Sequence, residues 1–370
     1  MMETFLEFPL KLETNRKILH VDMDAFYAQI EIRDNPALAN QQVIIARDPR
    51  RNGGKGVVAT ANYNARAKGV HSAMSAAEAL DLAPKAVFIT PNFTKYREAS
   101  HQVHDIFHEF TDKIEPVAFD EAYLDLSDRT ENLVALAHRM QQKIYDELHL
   151  TSSVGISFNK FLAKLASEHN KPVGLTVIRP EDIRPFLDAE PIESIRGVGA
   201  KTAERMRELG VQTGADLYQM SQDELISEFN RQGFELYERI RGIDNRPVMY
   251  ERQRKSIGKE HTFNPLIRSE DETLAEIKIL AKEVTEALSR QKMHGQTLVL
   301  KLRDENFNTV THRMTQNDFI DNDPVVLNRI ANDLLEEAGG FRQPLRLIGL
   351  TMTNLTPLAF ENIALSLYES

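Results

Sequence analysis

Apolar positions along this chain switch repeatedly between strand-like and helix-like spacing, and each switch marks an element. Residues 18–27 read ILHVDMDAFY: an apolar strand, two acids at Asp22 and Asp24, then a helix opening at Phe26 and Tyr27. Carboxylates placed at the mouth of a strand call for water or a cation to meet them. The helix over 26–33 is stopped by Asn35-Pro36. VIIA at 43–46 and VVAT at 57–60 read as strands, with the mobile basic loop PRRNGGKG between them. NYNARAKG at 62–69 reads as a helix closed by Gly69, and Ser75 with Glu78 forms a capping box for the next short helix.

From residue 94 the periodicity sharpens. Val103, Ile106, Phe107 and Phe110 predict a helix, EPVAFDEAYLDL at 115–126 a strand, an acidic turn and a second strand over 123–126. Leu133, Leu136, Met140, Ile144 and Leu148 predict another helix, and SSVGI at 152–156 a strand. The order is βαββαβ, a ferredoxin-like arrangement interrupted by residues 28–92. That topology sets the first strand beside the one leading into Asp120, so Asp22, Asp120 and Glu121 are expected to converge. Residues 180–245 break into short helices around a GVG turn at 197–199. A second βαββαβ pattern then runs from 257 to about 355, with strands near 257–263, 297–303, 307–314 and 345–353 and helices through Ile277–Leu288 and 325–337. In QTLVLKLR, Leu298, Leu300 and Leu302 share one face while Val299, Lys301 and Arg303 share the other, which Arg313 joins from the next strand. The fold class is therefore α+β and multidomain, as 370 residues exceed what one core normally holds.

Composition adds limits. With 42% hydrophobic and 27% charged residues and no run of the roughly 18 apolar residues a membrane helix needs, no membrane partner is expected. Residues 1–14 are acidic and resemble a disordered arm more than a secretion signal. Zero cysteines exclude disulfides and thiolate metal sites and fit a cytoplasmic location. The net charge of −10 argues against nucleic acid, yet RPVMYERQRKSIGK at 246–259 sets a run of bases against the single acid Glu251.

Three like charges within a few ångströms raise one another's pKa unless divalent cations hold them together, and oxygen-only ligands suit Mg²⁺. Taken singly, each acid is as readily a turn or a helix cap. As a trio on adjacent strands they read as a two-metal site for in-line displacement at phosphorus, with Asp24, Glu115 and Asp125 either supporting it from behind or lying on the surface. Tyr63 and Arg66 share one helix face, and Lys160 opens the helix FLAKLAS. Such cations are expected to answer the acids if a triphosphate is the substrate, although Arg66 and Lys160 taken alone read as surface bases. IRGVGAKTAERMRELG at 195–210 is similar to a helix-hairpin-helix, whose turn offers backbone N–H groups to phosphate. His101, His104 and His108 share a helix without metal-ligand spacing.

Seven blocks in fixed order, HVDMDAFYAQIE, GVVATANYNARAKGVHSAM, KYREAS, EPVAFDEAYLD, SVGISFNKFLAKLASEHNKPVG, IRGVGAKTAERM and KSIGKEHTF, resemble the Y-family DNA polymerases of the bacterial DNA polymerase IV type. The resemblance implies a right-hand polymerase: palm over 15–27 and 93–179, inserted fingers over 28–92, helical thumb over 180–245, basic linker over 246–256, little finger over 257–355 and a tail over 356–370. It implies low-fidelity translesion synthesis on primer–template DNA from deoxynucleoside triphosphates, as a monomer carrying two Mg²⁺ ions. Asp22, Asp120 and Glu121 match the metal-binding carboxylates and the Met23 carbonyl a further ligand. Thr60, Tyr63, Arg66 and Lys160 match the triphosphate contacts, Tyr27 the steric gate against a ribose 2′-hydroxyl, and Val57, Ala59 and Ala73 the roof over the nascent base pair. Gly197, Gly199, Lys201, Lys255, Lys301, Arg303 and Arg313 are the expected DNA contacts. Leu365, Leu367 and Tyr368 in ALSLY resemble a sliding-clamp peptide, with Ala364 where glutamine is usual. Ser75 stands where the family has proline, and the NGGK loop is longer than is common. The rival from another class is a non-catalytic DNA-binding clamp accessory, whose mark would be a lost carboxylate.

Overall fold

The computed structural model describes residues 10–251 and 253–358, in two compact units that divide after Glu251, within the basic stretch 246–256. The first unit is built on β1 (Ile18–Met23), whose six residues are all buried. After α1 (Phe26–Asp34) comes the inserted segment: β2 (Val43–Ile45), β3 (Thr60–Ala61), α2 (Tyr63–Arg66), α3 (Ala76–Leu82) and β4 (Val87–Ile89). Its strands form their own three-stranded sheet, β3-β2-β4, over a small core rich in alanine. The expected strand at 57–60 shortens to β3, because Val57 and Val58 pair instead with the 73–75 segment. Asn52 and Lys55 close the basic loop before them, the amide N–H of Lys55 donating to Asn52 Oδ1 at 2.9 Å.

The chain then returns through α4 (Phe93–His108), β5 (Ile114–Pro116), β6 (Glu121–Asp125), α5 (Leu133–Leu148), β7 (Ser152–Ser157), α6 (Lys160–His169) and β8 (Leu175–Val177). The sheet runs β5-β6-β1-β7-β8. β1 therefore lies beside the strand that leaves Asp120 and Glu121, not the one that leads in. That correction has a topological cause: a strand flanked on both sides pushes the short β5 to the edge. α6 packs so closely on β7 that a Cβ on Gly155 would overlap the backbone of Ala163. The unit ends in α7 (Ile183–Ala189), α8 (Ala200–Glu208), α9 (Gly214–Gln219), α10 (Gln222–Phe229) and α11 (Arg231–Arg239), which share one apolar cluster with α6. The first residues of the basic stretch are docked: Val248 is buried beside Ile18, Tyr123 and Ala163, and Arg16 donates to the carbonyls of Asp244 and Arg246.

The second unit comprises β9 (Ser256–Ile267), α12 (Glu270–Gln291), β10 (Met293–Asp304), β11 (Thr309–Ile320), α13 (Pro324–Glu337) and β12 (Leu345–Pro357). The succession βαββαβ is the expected one, with longer strands. Its sheet order, β11-β10-β12-β9, differs from the first unit's: here the opening strand is at an edge. Leu298, Leu300 and Leu302 face the two helices, and Lys301 and Arg303 lie on the open face.

Candidate active site

Antiparallel register sets Asp22 opposite both Glu121 and Ser153. The Met23 N–H donates to the Asp120 carbonyl at 2.8 Å, which ties the acidic turn to the end of β1. Ala25 then adopts a left-handed conformation (φ 44, ψ 44), a strain of order 1 kcal/mol. The strand thereby turns straight into α1 and brings Phe26 and Tyr27 to a cavity of about 310 Å³ that Asp22, Met23 and Asp120 also line. Ala59, Thr60, Arg66 and Ser72 of the inserted segment wall its other side, together with Lys171.

Lysines answer the acids. Lys171 Nζ lies 2.5 Å from Asp22 Oδ1, and Lys164 donates to Glu121, whose other neighbour is His20 Nε2 at 3.1 Å. The His20 ring is wholly buried, with its Nδ1 2.8 Å from the Ser167 hydroxyl. Burial raises the pKa of Asp22 against the pull of Lys171, and burial with the charge of Glu121 raises Asp120. Burial also works to raise Glu121, but His20 and Lys164 outweigh it and hold that carboxyl at about 2. One ligand atom each of His20, Asp22 and Glu121 lie within 4.8 Å of one another. Asp120 lines the cavity outside that trio of atoms.

Asp24 is no surface acid. It is 1% exposed and accepts from Ser153 Oγ (2.7 Å), Thr151 Oγ1 (2.9 Å), the Val173 N–H (2.9 Å) and Tyr63 OH (3.4 Å). It thus knits β1, β7 and α2 together around the cavity. Tyr63 supports the Arg66 guanidinium 5.0 Å above its ring, and Arg66 donates to the Ala61 carbonyl at 2.8 Å and to Thr60 Oγ1 at 3.3 Å.

Of the expected triphosphate contacts, Thr60 and Arg66 line the cavity, Tyr63 stands behind them against Arg66 and Asp24, and Lys160 lies elsewhere. Its side chain is 5% exposed, donates to Glu115 Oε2 at 2.8 Å, stands over the Tyr123 ring and does not line the cavity. The reason is direction. β7 starts beside Met23 and runs away from it, so α6 starts at the far end of the sheet and returns. Lys171, 11 residues later and roughly 16 Å along the helix direction, arrives next to Asp22. Sequence reasoning missed Lys171 and Lys164; the only signal was their place in SVGISFNKFLAKLASEHNKPVG once the sense of α6 is known.

Tyr27 stacks on Tyr96 (centroids 4.4 Å, interplanar 13°) and meets Phe93 edge-on, so its ring is braced at the cavity wall. Ala59 lines the cavity. Val57, 61% exposed, and Ala73, at φ 68, do not. Gly197 adopts φ 101 and Gly199 caps α8, where Lys201 is exposed. A Cβ on Gly197 would sit 2.8 Å from Arg239 Nη1, whose guanidinium donates to the Arg196 carbonyl. In the second unit, Arg313 is the register partner of Val299, Arg303 donates to Thr309, and Lys255 is exposed. The basic face is not purely basic: Lys301 reaches across Gly349 to Glu260 at 2.8 Å. Leu365, Leu367 and Tyr368 lie outside the described residues.

Comparison with known proteins points the same way. The impB/mucB/samB family matches residues 21–168, its C-terminal domain 254–365, and the DNA polymerase-iota thumb domain 193–244. The DNA polymerase IV of Streptococcus suis is 47% identical over 94% of this chain and 99% of its own length. That of Streptococcus thermophilus is 47% identical over 95% and 96%. A Y-family DNA polymerase chimera of Dbh and Dpo4 superposes with TM-score 0.82 at 29% identity, over 92% of this chain and 99% of the chimera. The insertion ternary complex of Dbh DNA polymerase gives 0.67 at 28% over the same shares. No site carboxylate is missing and nothing supports a non-catalytic accessory, so the chain belongs to the Y-family DNA polymerases, the translesion class of DNA-directed DNA polymerase.

Proposed function

We propose that the cavity between Asp22, Asp120 and Tyr27 joins a deoxynucleoside triphosphate to the 3′-hydroxyl of a DNA primer, opposite a template that is often damaged. The observation that carries this reading is the meeting of two acids with Lys171, Arg66 and a braced tyrosine around one cavity. The donor set fits magnesium: carboxylates at Asp22, Asp120 and Glu121 and the carbonyl of Met23 are all hard oxygens. His20 stands beside this set, its Nε2 3.1 Å from Glu121 Oε2 and its Nδ1 against Ser167. Two Mg²⁺ ions, when bound there, lower the pKa of the primer hydroxyl and screen the charge on the triphosphate.

The chain's own residues do the rest. Lys171, in place of Lys160, and Arg66 neutralise phosphate charge, with Arg66 aimed by Thr60, Tyr63 and the Ala61 carbonyl. The Tyr27 ring, immobilised on Tyr96, excludes a ribose 2′-hydroxyl by collision. Val57, Ala59 and Ala73 are small and cover the base pair loosely, which admits altered bases at a cost in fidelity. Gly197, Gly199 and Lys201 of the thumb hold duplex phosphates, as do Lys255, Lys301, Arg303 and Arg313 of the little finger. The tail residues Leu365, Leu367 and Tyr368 join a sliding clamp, and the enzyme works as a cytoplasmic monomer. A primer-extension gel tests the reading: extension in Mg²⁺ that a chelator abolishes is expected. Tight binding of primer–template with no extension would overturn it in favour of the accessory.

A further inference from the structure

A larger cleft, of about 630 Å³, opens on the inserted segment away from the catalytic cavity. Arg47, Arg50, Arg51 and Lys85 line it against the single acid Asp48. Asp48 grips Arg50 through both carboxylate oxygens, at 2.9 and 3.1 Å, and thereby holds that guanidinium 5.4 Å over the Phe88 ring. Arg47, Arg51 and Lys85 are exposed, and among the described residues neither Arg47 nor Lys85 has an ion-pair partner. The floor is therefore a cationic and aromatic surface, and the rim carries three bases.

Its place in the fold indicates what it meets. The small sheet runs β3-β2-β4, with Thr60 of β3 at the catalytic cavity and Val87 and Phe88 of β4 at the cleft. Two strand spacings, roughly 10 Å, separate the edges, about the rise of three stacked nucleotides at ~3.4 Å each. On the polymerase reading above, the template continues unpaired past the nascent base pair. We infer that the Arg47–Lys85 cleft binds the single-stranded 5′ template overhang, its phosphates on Arg47, Arg51 and Lys85 and one base on the Arg50–Phe88 surface. An aromatic and cationic floor with a basic rim suits any base, as a polymerase template requires.

The test compares two primer–templates that share one duplex and carry one or eight unpaired template nucleotides, by fluorescence anisotropy across salt concentrations. Wild-type protein should bind the longer overhang about tenfold more tightly. Its slope of log K against log salt should be steeper by about 2, at ~0.7 per single-strand phosphate. Arg47→Ala/Lys85→Ala, and separately Arg51→Glu, should lose that gain while binding and extending the one-nucleotide substrate as wild type does. An undiminished gain in these variants overturns the inference, as does equal weakening on both substrates. So does loss of oligo-glutamate binding in the variants with the overhang gain intact, which would make the occupant an acidic protein segment. Wild-type protein that extends neither substrate would overturn the polymerase reading itself.

Discussion

Lys160 and Lys171 belong to one sequence block but to opposite ends of α6, and replacing each by methionine separates catalysis from folding. Lys160 Nζ lies 2.8 Å from Glu115 Oε2, with the two side chains 5% and 18% exposed. Removing one member of such a pair strands a buried charge at a cost of about 3–5 kcal/mol. At roughly 2–4 °C per kcal/mol for a unit of this size, Lys160→Met should lower Tm by about 6–20 °C. Lys171 meets Asp22 at the cavity wall with its side chain 20% exposed, four times the exposure of Lys160, so its loss should cost less stability. What it removes is attraction for the triphosphate. A charge pair at ~4 Å in an effective dielectric of ~20 is worth about 4 kcal/mol, and losing 2–4 of it lowers kcat/KM by on the order of 30- to 1,000-fold. Steady-state extension with varied nucleotide, beside thermal unfolding, reads both quantities. Lys160→Met with unchanged Tm and a kcat/KM reduced by that factor, next to a fully active Lys171→Met, would refute the placement of these lysines.

Four further outcomes are expected. Asp120→Asn should slow extension by roughly 10²–10³-fold or more while duplex affinity, read by anisotropy, stays constant; normal extension rates would remove Asp120 from the site. Tyr27→Ala should raise ribonucleotide incorporation by at least about tenfold in single-nucleotide extension, and unchanged sugar preference would show that another group excludes the 2′-hydroxyl. Lys301→Ala should reduce the salt slope of duplex binding by about 0.9, the value of one phosphate contact; a flat response means that face leaves DNA alone. Asp244 is buried, which opposes ionisation, but Arg246 at 2.6 and 2.7 Å and backbone donors keep its pKa below the usual range. A depressed folded pKa contributes stability that is present above about pH 4 and lost as pH falls through the folded value. The Tm difference between wild type and Asp244→Asn should therefore be largest near pH 7 and shrink below pH 4; a gap independent of pH would contradict the ion pair.

Much of the site was legible from local pattern. An apolar run ending in acids and turning into a helix picks out Asp22 whatever surrounds it, because strand and helix spacings are short-range properties of the chain, whereas the role of Tyr27 came from the family resemblance. Asp24 was harder to read: its four hydrogen bonds come from Tyr63, Thr151, Ser153 and Val173, none of them a sequence neighbour. His20 belongs to an apolar strand, and nothing around it announces that its ring lies against Glu121. The register between β1 and β6, which sets Asp22 opposite Glu121, likewise depends on partners about a hundred residues apart.

By itself the sequence determined the order of elements, the buried face of each and the residue types at the catalytic turns, since these follow from periodicity and the poor solubility of charge in an apolar core. Tertiary structure alone decided direction and neighbourhood. The same βαββαβ succession gave a sheet with its first strand central in one unit and at the edge in the other. Between two lysines of one block, the return of α6 along β7 sent Lys160 to Glu115 and Lys171 to the catalytic acid. Strand order and helix sense are set by which apolar faces bury each other across the whole unit, a choice that no local stretch contains.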